Sequence, residues 1–293
     1  TALVQATYCG LTRAAKLLLD AGARWDPKNP CEMDAFVTMC RGDLCRASDK
    51  DVFHYSEEDN GTVDADYVDK DYGEDADEDD REELTKLLVN AKVDVNAKAL
   101  GYDTPLISAV RRSDAFRVIL DAGADVNARD MLRATALMHA AEAKRQDHVE
   151  LLLKAKADVN LMDSSDETAL KHAVDKGDLK ILQMLVAAGA QAEIGYSPSV
   201  SPLLKALGDL DMVRLLLDGK ADVQKLTKLD SKPLQDAVTL NKVEVIKLLV
   251  DAGLDLSQST KLAATLLSSA AARGHADMLR LLIDAKAFVD AVD

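Results

Sequence analysis

The run Leu-Leu-Leu-Asp-Ala-Gly-Ala begins at Leu17. Close variants return at Val118–Val126, Leu151–Val159, Met184–Ala192, Leu215–Val223, Leu248–Leu256 and Leu281–Val289. The residues that end each Gly-Ala-Asp-Val-Asn-like run are Asp26, Asn96, Asn127, Asn160, Glu193, Gln224, Ser257 and Asp290. Their spacings are 70, 31, 33, 33, 31, 33 and 33 residues. A period held this tightly constrains the chain more than any other feature. One 33-residue unit cannot bury its own apolar face, so neighbours must stack into a single array.

Every unit reads alike. A Thr-Pro-Leu or Thr-Ala-Leu start opens a short helix, as at Thr104-Pro105-Leu106 and Thr135-Ala136-Leu137. Threonine accepts from the orphan amides of the first turn, and proline fits the first helical position. A Gly-Asp-Leu or Gly-His-Ala turn follows, as at Gly177-Asp178-Leu179 and Gly274-His275-Ala276. The second helix carries an apolar stripe such as Val243, Ile246, Leu248 and Leu249. Alanines in the first helix admit close packing, and the second helix supplies bulk.

These residues resemble the ankyrin repeat family, whose unit carries Thr-Pro-Leu-His near its start and Gly-Ala-Asp-Val-Asn near its end. Thr104-Pro105-Leu106, Gly274-His275 and Gly123-Ala124-Asp125-Val126-Asn127 match directly. The resemblance implies an all-α solenoid of about eight helix-turn-helix units with hairpin fingers, one domain over residues 1–293. It specifies the fold closely and the function weakly, because the scaffold serves many roles. The family's histidine is replaced by Val4, Ile107, Met138, Lys171, Leu204 and Ser268, with His139 and His172 one place later. Tyr102, Arg133, Asp166 and Ser199 stand where the family has glycine before the threonine, which predicts irregular fingers.

The residue that follows the second helix alternates strictly: Gly22, Lys92, Gly123, Lys156, Gly189, Lys220, Gly253, Lys286. A left-handed conformation is cheap for glycine there and costs lysine about 1 kcal/mol. Duplication of a two-repeat block accounts for the alternation; drift between two tolerated residues is the simpler reading.

The net charge of −15 is unevenly placed. Residues 48–83 hold seventeen acids and three bases, a net of −14, and the remainder is nearly neutral. The 70-residue spacing holds 37 residues beyond one period, so this segment reads as an insertion inside unit two. It falls between a first helix at Asp34–Arg41 and a second at Glu82–Asn90 striped by Leu84, Leu87 and Leu88. A charge run is ordinarily a solvated loop. Three of the six tyrosines, Tyr55, Tyr67 and Tyr72, lie in it. With Asp77, Glu78 and Asp79 they form a candidate acidic arm for docking on a basic surface.

Catalytic and metal motifs fail one by one. Cys9, Cys31, Cys40 and Cys45 contain no Cys-x-x-Cys pair, and with His54 they make a weak zinc pattern. Free thiols are expected there, with a disulfide open to an oxidising compartment. Aligning Gly61 to a calcium loop puts Ser56 and Tyr67 at the ligand ends, where acids are required. Asp64, Asp66, Asp69 and Asp71 offer only nonspecific cation binding. No phosphate-binding glycine loop, His-Glu-x-x-His or Gly-x-Ser-x-Gly occurs. His54, His139, His148, His172 and His275 include four at repeat positions with structural explanations. The sequon at Asn60 and the acid-flanked Ser56 are short enough to arise by chance. No catalytic residue, cofactor, bound metal or small-molecule substrate is expected.

What remains is surface recognition. The fingers and first helices of stacked units form a concave face. By register it presents Leu100, Tyr102, Arg111 and Arg112, then Met131, Leu132 and Arg133, then Tyr196, Lys228 and Leu229. Met131-Leu132-Arg133 is the best anchor, since interface cores favour aromatic, Met and Arg residues. A pI near 4.8 argues against direct nucleic-acid binding, and no stretch is apolar enough to span a membrane. The expected role is a non-catalytic protein-binding scaffold or accessory subunit of a larger assembly. The alternative is a regulatory segment of a longer enzyme or channel chain. The uncapped repeat ends read as a fragment of something longer, so targeting is not legible and an intracellular place is the default.

Overall fold

A computed structural model of the chain describes residues 1–26, 29–41, 78–98, 103–110, 113–194, 201–228 and 232–287. The described residues are helical, with no β-strand among them. They divide into two compact units, Thr1–Met131 and Leu132–Asp293.

The first unit contains α1 (Ala2–Tyr8), α2 (Thr12–Asp20), α3 (Pro30–Arg41), α4 (Glu78–Asn90), α5 (Pro105–Ala109) and α6 (Ser113–Asp121). Helices α1, α3 and α5 pack in succession, and α2, α4 and α6 form a second row. The second unit repeats this plan. Its inner row is α7 (Ala136–Glu142), α9 (Ala169–Lys176), α11 (Pro202–Ala206), α14 (Lys232–Thr239) and α16 (Thr260–Ala272). Its outer row is α8 (Gln146–Lys154), α10 (Leu179–Ala187), α12 (Leu210–Asp218), α15 (Val243–Asp251) and α17 (Ala276–Asp284). A single turn, α13 (Lys225–Lys228), precedes α14.

Small side chains set the spacing of the inner row: Ala140, Ala173, Ala206, Ala237 and Ala270 are almost fully buried. The outer row fills the space between layers. In α10 the buried residues are Ile181, Leu182 and Leu185; in α15 they are Val245, Ile246 and Leu249. The stripe expected at Val243 and Leu248 is thereby corrected, for both are only half-buried. At about 100° per residue, positions 245, 246 and 249 share the face turned to the inner row. In α4, Leu84 and Leu88 are fully buried and Leu87 half-buried.

Two helix starts also move. Helix α3 begins at Pro30 rather than Asp34, with proline in the first helical place where its missing N–H loses nothing. Helix α4 begins at Glu78 rather than Glu82, because acidic residue types suit the positive end of a helix.

The predicted threonine caps form at four described starts in register. Thr1, Thr104, Thr135 and Thr168 accept from Val4, Ile107, Met138 and Lys171 at 3.3, 3.4, 3.4 and 3.3 Å. Each such cap contributes about 1 kcal/mol. Thr265 departs from the pattern. It lies inside α16, where its hydroxyl donates to the Lys261 carbonyl at 2.9 Å. The segment Thr260–Ala272 has no Gly or Pro to stop a helix, so α16 runs back through the expected finger. Helix α13 likewise replaces the start of a hairpin.

All eight alternating Gly and Lys positions have a left-handed backbone. The glycines adopt φ of 88° to 95° and the lysines 62° to 64°. The geometry is one helix ending used throughout: Gly189 N–H reaches Val186 O and Lys156 N–H reaches Leu153 O, both at 3.0 Å. Next to it a polar residue staples consecutive repeats. Asn160 accepts from Gln191 N–H at 2.9 Å and donates to Gly189 O at 3.3 Å. Asn96 does the same to Asp125 and Gly123.

Near the C-terminal end Asp255 stands two places before Ser257, the residue in register with Asn160. It accepts from Ser257 N–H at 2.9 Å and from Lys286 Nζ at 2.7 Å. The Lys286 ammonium and the Ser257 hydrogen bond hold its carboxyl down to about 2. A depressed carboxyl stabilises the fold above its ordinary range and loses that contribution as pH falls toward about 2. Carboxyl-carbon NMR should therefore give Asp255 a midpoint near 2, which Lys286→Met should move upward.

Candidate interaction surface

Met131 and Leu132 are the most exposed large apolar residues at a finger tip, 66% and 65% accessible. Their exposure is not looseness of the backbone. Leu132 O accepts from Ser164 N–H at 2.8 Å, which ties this tip to the next finger of the second unit. Arg133 is exposed and left-handed at φ 59°, in the place where the family has glycine. A residue other than glycine carries backbone strain in this conformation. Lys228 is exposed at the end of α13, on a helical turn and not a hairpin tip.

Leu100, Tyr102, Arg111, Arg112, Tyr196 and Leu229 lie outside the described residues, as do Tyr55, Tyr67, Tyr72 and Asp77. Glu78 and Asp79 are the first two residues of α4.

The finger after Asn160 is built by Asp163. Its Oδ1 accepts from Ser165 and Glu167 N–H at 2.7 and 2.9 Å, and Asp166 takes φ 58°. This closes a tight turn that leaves Met162 38% accessible. Met162 escaped the sequence reading, although an apolar residue two places after the Asn160 marker was a usable signal. The outward side of α9 and α11 carries a chain of charges. Lys171 pairs with Glu167 and with Asp175 at 3.1 Å, and Asp175 also pairs with Lys205. Burial works against the charged form of Lys171, but its two carboxylate partners prevail and raise its pKa. Burial likewise opposes ionisation of Asp175, and the Lys205 and Lys171 hydrogen bonds overcome it, leaving the carboxyl below its usual range.

Among the described residues, the thiols of Cys9, Cys31 and Cys40 are free, and Cys45 lies outside them. Burial drives the Cys40 thiol far up, so it is chemically inert. His148 is 1% exposed and belongs to the core. Asp163, Glu167 and His172 converge closely enough to hold a metal. No helix among the described residues is long and apolar enough to cross a membrane.

A family model described as ankyrin repeats (3 copies) matches residues 132–196 and 201–293. No curated protein matches the chain. The match covers more than half of the residues, and the two rows of paired helices fit it. The chain belongs to the ankyrin-repeat family.

Proposed function

We propose that this chain is a non-catalytic scaffold or accessory subunit that binds a protein partner through its finger and first-helix side. Ankyrin repeats generally mediate protein–protein interaction. The observation that carries the reading here is the pair Met131 and Leu132, about two-thirds exposed with Leu132 held by a backbone hydrogen bond. A finger whose backbone is already tied down has less to order on binding, and Arg133 adds a planar donor beside the apolar pair. Lys228 extends the same register. The −14 segment supports an additional electrostatic arm toward a basic region of the partner.

Affinity capture with mass spectrometry tests the anchor. The intact chain should retain a partner that Met131→Ala/Leu132→Ala/Arg133→Ala loses, and an unchanged set of captured proteins would discard the anchor. Deleting residues 48–80 tests the arm separately. Capture should weaken and lose its salt dependence; an unchanged salt profile would remove the arm from the account.

A further inference from the structure

We propose that Asp163, Glu167 and His172 form a zinc(II) site at the finger that leads into α9. Each residue offers one ligand atom, and these atoms lie within 4.8 Å of one another. The donor set is one imidazole nitrogen and two carboxylate oxygens. The nitrogen separates this cluster from the solvated acidic patches of the surface and selects a borderline first-row ion over calcium or magnesium. Zinc bonds of about 2.0–2.2 Å require the three atoms to draw together by roughly an ångström. Glu167 and His172 are half-buried, so their side chains have room to turn.

The backbone that carries the ligands is already fixed. Asp163 is only 9% exposed, and its Oδ1 is held by the Ser165 and Glu167 amides. Asp163 N–H returns to Glu167 O at 3.0 Å, so the two carboxylates share one closed turn. His172 stands on the first turn of α9, which Thr168 caps, and its own N–H reaches Thr168 O at 3.2 Å. A ligating carboxylate oriented by backbone amides is the usual outer-shell support of a metal site. Lys171 does not block the ion. It holds Asp175 as well as Glu167, so it keeps a carboxylate partner when Glu167 turns to the metal. Three protein ligands leave a fourth zinc position for water or for a side chain of a partner. The ion would lock the finger 161–167 onto α9. This site stands independently of the Met131–Arg133 anchor.

Zinc chloride titrated into the intact protein should bind at one equivalent. At a hundredfold excess over Kd it should raise the unfolding temperature by roughly 5–10 °C. His172→Asn should abolish the rise while unfolding normally without zinc, and Glu167→Gln should diminish it. A variant with Cys9, Cys31 and Cys45 changed to serine should keep the full rise. No saturable response in the intact protein overturns the proposal. So does an equal response in His172→Asn, or a response that disappears with the cysteines.

Discussion

Replacing Ile181 by alanine should destabilise the protein by about 3 kcal/mol, because it empties the middle of the second unit. Ile181 is fully buried in α10, and α10 packs against α8, α9 and α12. In a stacked array the loss also weakens both neighbouring interfaces, so it should spread beyond the mutated helix. Urea unfolding should show a lower midpoint, and amide exchange should quicken from α8 through α12. Lys180→Ala, on the exposed side of the same helix, should move the midpoint little. A loss under about 1 kcal/mol, or faster exchange confined to α10, would contradict the stacking account.

The second large effect runs the other way. Changing Lys92, Lys156 and Lys220 together to glycine should stabilise the protein by about 2–3 kcal/mol, near 1 kcal/mol for each left-handed position relieved. The three lysines have φ of 64°, 63° and 62° and are exposed. They are far apart in the chain, so their contributions should add. Lys286 is left out because its ammonium holds Asp255. The reciprocal change, Gly189→Lys, should cost about 1 kcal/mol through backbone conformation alone, since open space surrounds the Cβ it would gain. Thermal unfolding of the parent, the triple variant and Gly189→Lys checks both directions. Equal midpoints for the triple variant and the parent would show that the lysines draw compensating contacts from this turn.

Much of this fold is readable in the sequence, for a physical reason. A 33-residue period combined with a 3.6-residue apolar repeat leaves few arrangements, and the two helix rows follow from it. The Gly and Lys alternation located the left-handed endings because conformational strain is written in residue type. The fingers were less legible. Nothing short-range distinguishes Thr265 from the capping threonines; the uninterrupted Ala- and Leu-rich run from Thr260 decided the outcome. Periodicity could not separate Val245 from Val243 in α15, since the burial of a stripe's flank depends on where its neighbours sit.

The exposure of the finger residues was legible in part. Met131 and Leu132 stand out as expected, because apolar residues placed between Asp130 and Arg133 have no helix face to bury them. Asp163, Glu167 and His172 went unnoticed because their spacing matches no metal motif. They meet only through the turn that Asp163 closes.

The central claim is that this chain acts through an ordered finger surface, and an affinity measurement tests it most directly. The dissociation constant should be compared by calorimetry for the intact chain and for Met131→Ala/Leu132→Ala/Arg133→Ala, using the protein that the intact chain captures. The account predicts roughly a hundredfold weaker binding, about 2.7 kcal/mol, with an unfolding temperature no lower than the parent's. Affinities within a factor of about two would contradict it.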